Sequence, residues 1–226
     1  MLNQHKLRFS GRRELALGLG AYGAYLLVRR AVLTPAGRRR AHANARRVIR
    51  LERGLAIDLE GRVQQAVVSA PRLVRGLNAG YAALNVAFSV GWLALLFGRR
   101  DPAFARERRA ALAAFLGPLP IFLAFPTAPP RTQEGYVDTL GEAGIDIEHP
   151  LLVRFYNPVA ALPSHHAAFA VVTAGGLAGR TRGARRAAWA AYPPVVAFVV
   201  VATANHYVLD VAAGAALGLA ARRLTR

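Results

Sequence analysis

His206 and Asp210 stand four residues apart, the spacing that puts two side chains on one face of a helix. A carboxylate so placed accepts a hydrogen bond from one imidazole nitrogen and leaves the other free to act as a nucleophile. The run Pro163-Ser164-His165-His166 sets two more imidazoles behind a serine suited to cap a helix. That helix start would aim unpaired N–H groups and a positive dipole end at an anion such as phosphate. A histidine in its first turn can protonate a leaving alkoxide, and spacing alone does not separate His165 from His166 for that role. Arg131 offers phosphate oxygens a planar fork whose charge persists at any pH. Arg154, Tyr156 and Asn157 precede the proline-serine turn, and Asn205 adjoins His206, so these four could line a pocket.

Residues of this kind must be carried somewhere, and the composition says where. Of the 226 residues, 54% are hydrophobic, and they fall in long blocks separated by short arginine-rich stretches. The mean hydropathy is +0.26. Soluble helices show an apolar stripe instead, whereas a membrane span needs about 20 apolar residues in succession. The net charge of +18 would point to nucleic acid in a soluble protein. Here the basic residues flank apolar blocks, as they do beside membrane spans, so lipids and not nucleic acid are the expected partners. All basic residues but Lys6 are arginines, and the absence of cysteine excludes disulfides, thiolate catalysis and cysteine-ligated metal. No cofactor or metal is expected, and the oligomeric state is not legible.

Six blocks are candidate helices: Glu14–Leu33, Leu77–Phe97, Ala110–Phe125, His166–Gly179, Ala187–Ala204 and Tyr207–Ala221. Gly117, Pro118 and Pro120 should kink the third. Gly214 and Gly218, four apart in the sixth, suit close helix packing. Residues 34–76 hold ten arginines, with Val48, Leu51, Leu55 and Leu59 at helical spacing, the pattern of an amphipathic helix lying in the interface. The expected fold is all-α, an integral membrane bundle of about six transmembrane helices with that interfacial helix between the first two. Residues 1–76 would form an N-terminal unit and 77–226 the transmembrane catalytic domain. His5, His42 and His149 lie in polar stretches and are expected on the solvated surface.

Antiparallel succession then yields a placement. The third block ends just before Arg131, the fourth begins at His165-His166, and the fifth-to-sixth junction holds His206, so all three meet at one membrane face. Loops 98–109 and 180–186 and the tail 222–226 are basic, whereas 126–163 carries Glu134, Asp138, Glu142, Asp146 and Glu148 against Arg131 and Arg154. The positive-inside rule puts the basic loops in the cytoplasm and the site outside the inner (plasma) membrane. Segment 34–76 conflicts with the rule. Either Arg29 and Arg30 snorkel and the segment lies on the outer surface, or the first block does not span; six spans is the reading adopted.

At these positions the chain resembles the type 2 phosphatidic acid phosphatase (PAP2) superfamily, and within it the branch that includes inositol phosphorylceramide synthases. The resemblance rests on Phe125-Pro-Thr-Ala-Pro-Pro-Arg131, Asn157-Pro-Val-Ala-Ala-Leu-Pro-Ser-His-His166, and Asn205-His-Tyr-Val-Leu-Asp210 with Gly214. It implies a metal-independent phosphatase or phosphotransferase acting on a lipid phosphate through a phosphohistidine. The Pro-Ser-x-His motif selects His166 as general acid, with His206 as nucleophile and Asp210 orienting it. Arg131, Ser164 and His165 would bind the substrate phosphate. Ala124 stands where the wider superfamily has a lysine, and Val199-Val200 where it has Ser-Arg. Two alternatives use the same residues: a metal site built from His165, His166, His206 and Asp210, and a lipid-binding protein without turnover.

Overall fold

Ser10 and Thr34 accept hydrogen bonds from the Arg13 and Gly37 N–H groups and so open the first two helices, α1 (Gly11–Val32) and α2 (Pro35–Gly54). The computed structural model describes residues 10–81, 85–146 and 149–225, and these are helical with no strand among the described residues. His5, Lys6 and Glu148 lie outside them. After α3 (Glu60–Val68) and α4 (Pro71–Ala79) come α5 (Asn85–Gly98), α6 (Phe104–Leu116) and α7 (Leu119–Ala124). Two single-turn helices, α8 (Thr139–Glu142) and α9 (Pro150–Val153), precede α10 (His165–Ala178), α11 (Gly183–Ala202) and α12 (Val208–Leu224).

Among the described helices only α1 is long and apolar enough to cross a membrane by itself, with Ala87–Gly98 a shorter apolar helix. The 14 residues of α10 rise about 21 Å, short of a hydrocarbon core about 30 Å thick. The described residues are thus all-helical, with one helix that length and composition make capable of crossing a membrane where the sequence blocks suggest six.

The third block breaks as its prolines require. Gly117 ends α6 and Pro118 starts α7, while the Phe115 carbonyl accepts a hydrogen bond from His165 Nε2 at 2.9 Å. Segment 34–76 departs from expectation. It forms three helices instead of one, and Ala56 turns the chain after α2 with φ of 55°. Leu51, Leu55 and Leu59 are exposed; the buried face of α2 is Ala41, Asn44, Ala45, Val48 and Glu52. Polar groups hold that face as much as apolar ones do. Asn44 Nδ2 donates to the Pro126 carbonyl, and the Ala128 N–H donates to that of Ala41.

Small residues let helices crowd around α10, which packs against α12, α11, α6 and α5. Ala168, Ala170, Ala174 and Gly176 are buried there. A Cβ on Gly214 would overlap the Ser164 carbonyl, and one on Gly218 would lie 2.6 Å from that of Ala168. The glycine spacing in α12 is therefore a packing device. At the far end of the bundle Glu107 of α6 is 1% exposed and accepts from Arg222 Nη1 of α12 at 2.9 Å and from Arg106.

Candidate active site

Backbone hydrogen bonds join the three junctions to one another. Thr127 pairs with the 159–161 strand-like stretch, its N–H donating to Val159 and its carbonyl accepting from Ala161. The Arg131 N–H donates to the Ala204 carbonyl, and the Ser164 N–H to that of Asp210. Helix ends distant in sequence thus share one framework.

On that framework His206 Nδ1 lies 3.0 Å from the Ala161 carbonyl and 3.3 Å from Asp210 Oδ2. Both oxygens only accept in this setting, so Nδ1 carries the proton and Nε2 presents its lone pair. Asp210 is held in turn by the Tyr207 N–H at 2.9 Å. Facing Nε2, His166 Nδ1 lies 3.3 Å away, and the Tyr81 ring stacks on the other side of His166 at 4.7 Å. Ser164 accepts from the Ala167 N–H, so the predicted cap of α10 is present. A cavity of about 50 Å3 opens here, lined by His165, His166 and His206 with Tyr156, Asn157 and Asn205.

His165 and His166 part company in this arrangement. His165 is packed among Phe115, Phe122 and Phe169 with its Nε2 engaged by the helix break, whereas His166 turns to His206. Arg131 is buried just behind the cavity wall, its Nη1 donating to Asn205 Oδ1 at 2.6 Å and its Nη2 buried without an acceptor. Arg154 is exposed and does not line the cavity. His149 is exposed and caps α9, but His42, expected in solvent, is half-buried and accepts at Nδ1 from Gln133 Nε2 at 2.9 Å. The described residues contain no group of three or more His, Asp or Glu arranged to hold a metal.

Sequence reasoning missed an acidic pair beneath the site. The first N–H groups of a helix have no partner within it. For α12 these are met from outside: Val208 N–H donates to Glu60 Oε1 at 2.6 Å and Leu209 N–H to Glu52 Oε1 at 2.7 Å. Both side chains are fully buried. Their Oε2 atoms are buried without a hydrogen-bond partner. Burial pushes the Glu52 carboxyl up to about 8; the Leu209 N–H pulls it down, and the charge of Glu60 pushes it up again. Two acids inside an arginine-rich segment read as solvated charge; their partners are backbone groups some 150 residues on, which leave no mark on the side-chain pattern.

The family model for the PAP2 superfamily matches residues 46–224. No curated protein and no solved structure matches the chain.

Proposed function

Because this chain belongs to the PAP2 superfamily, we propose that it is a membrane-embedded phosphatase or phosphotransferase acting on a lipid phosphate. The observation that carries this reading is the facing pair His206 and His166, with His206 Nδ1 fixed by Ala161 and Asp210 so that Nε2 is the free nitrogen. In the first step Nε2 of His206 attacks phosphorus, the P–O bond to the lipid breaks, and His166 gives its proton to the departing oxygen. In the second, His166 takes a proton from water or an alcohol whose oxygen attacks the phosphohistidine, and the P–N bond breaks. Water makes the enzyme a phosphatase. An alcohol hydroxyl, such as that of a sugar or inositol, makes it a transferase, and the resemblance to the inositol phosphorylceramide synthase-like branch leans towards transfer of a headgroup phosphate. The buried Arg131 Nη2 and the first N–H groups of α10 supply donors for the phosphoryl oxygens. At 3.3 Å the two rings leave no room for phosphorus, so substrate entry must part them.

The membrane reading extends to six spans, with α6 and α7 counted together. Apolar side chains exposed on several helices support it: Leu15 and Leu27 on α1, Val90 on α5, Leu123 on α7, Phe198 on α11 and Leu219 on α12. α2 then lies at the outer interface with Leu51 turned to lipid, and the histidines are on the extracytoplasmic side of the inner (plasma) membrane.

The test is turnover of labelled phosphatidic acid, polyprenyl diphosphate and phosphatidylinositol by detergent-purified protein. His206→Ala should abolish release or transfer, and His166→Ala should slow it by about 10²–10⁴-fold while trapping acid-labile label on the protein. Full activity in His206→Ala would end the proposal. Activity lost to chelators in the wild type would favour a metal centre instead.

A further inference from the structure

Beside the histidine cavity, and separate from it, a larger groove of about 510 Å3 runs between α2 and the loop that follows Arg131. His42, Arg46, Arg50 and Arg53 form one wall, and Thr132, Gln133 and Glu134 the other. The basic residues follow one another at four, four and three residues, so they line up along one flank of α2. Gln133 braces the walls through His42, whose Nε2 is then the protonated, donating nitrogen.

Several arginines elsewhere in the protein are engaged. Arg29 donates to the Tyr156 carbonyl, Arg40 to that of Ala124, Arg108 pairs with Glu14, Arg180 with Asp101, and Arg222 with Glu107. Among the described residues Arg46 and Arg50 have no hydrogen bond and no acid; Arg53 meets only the exposed Asp58, at 3.8 Å. Like charges four apart on a helix repel one another. Three guanidiniums in a groove with the single acid Glu134 are a conflict that an anion would resolve.

We propose that this groove is a second anion site and holds a phosphate group next to the histidine cavity. The groove lies on the end of the bundle that carries His206, directly after Arg131, where a lipid neighbouring the substrate would present its headgroup. Planar guanidiniums recognise phosphate oxygens two at a time, and the donors of Thr132 and Gln133 complete the lining. The inference stands on the groove alone and needs no turnover at the histidines.

Native mass spectrometry of detergent-purified His206→Ala protein, in which turnover is blocked, counts retained phosphatidic acid. Arg46→Gln/Arg50→Gln in that background should retain one lipid fewer, or need about tenfold more for equal occupancy, with phosphatidylcholine retention unchanged. Both arginines are exposed, so the variant should fold. A control at the other end of the molecule, Arg12→Gln/Arg13→Gln, should leave the count unchanged. Competition by inorganic phosphate would identify the ligand as phosphate itself; resistance to it would identify a lipid headgroup. Equal retention by parent and groove variant overturns the proposal, as does an equal loss in the control. Failure of the histidine chemistry would instead leave the groove count intact.

Discussion

Helix α12 is held by buried acids at both ends, and the two ends are built on opposite electrostatic terms. At its C-terminal end Arg222 reaches Glu107, which also receives Arg106, so a carboxylate is neutralised by side-chain cations. At its N-terminal end Glu52 and Glu60 accept backbone N–H groups and face each other, and among the described residues no arginine bonds either. In a chain with 30 basic residues that omission is informative. The far end uses fixed charge and works as a clamp. The site end holds its two acids with backbone donors instead.

Removing the fixed charge should do the most damage. Glu107→Ala leaves Arg222 beside a buried wall without its acid, and the expected loss is about 3–5 kcal/mol, read as a shift in denaturation midpoint in detergent. The clamp description breaks if Glu107→Ala costs no more than truncation at the other end. That truncation, Glu52→Ala, uncaps the first turn of α12 and should cost roughly 0.5–2 kcal/mol. It should also lower turnover per folded molecule, because His206 lies immediately before that turn.

The smallest change sharpens the contrast most. In Glu52→Gln the amide oxygen still accepts from Leu209, and the side chain stays neutral at every pH. A carboxyl raised from 4.5 to about 8 is protonated in the folded protein where it would ionise in the unfolded chain. Its contribution is complete below pH 4.5 and is lost as pH rises through about 8. Wild type should therefore lose stability across that window, and Glu52→Gln should show a flatter profile at little cost at neutral pH. Parallel profiles would mean that the pair carries no titrating proton.

Much of the site was legible because its residues act on near neighbours in sequence. The four-residue step from His206 to Asp210, the Ser164 cap and the break at Gly117-Pro118 are local, and each is present. The convergence of three junctions followed from helix direction alone. What escaped were groups whose partners are backbone atoms far away: the Ala161 carbonyl on His206, the Phe115 carbonyl on His165, and the α12 N–H groups on Glu52 and Glu60. Periodicity sets Leu51 on an apolar stripe, and it is exposed; what periodicity does not mark is the other face of α2, which buries Asn44 and Glu52 against backbone groups far along the chain. Hydropathy records what a side chain avoids and not what it can bond.

The close seat of Gly214 against the Ser164 carbonyl has a temporal consequence. With Gly218 on Ala168 and the Ser164 N–H on Asp210, α10 and α12 cannot slide past each other without steric overlap. The elements that carry His166 and His206 therefore move as one block. Parting His166 from His206 then falls to rotation of an imidazole about its own side-chain bonds, and both rings are held: His206 at Nδ1 by Ala161 and Asp210, His166 by the Tyr81 ring stacked on it. Opening between the two rings is therefore a side-chain event, slowed by the contacts that the rings must break.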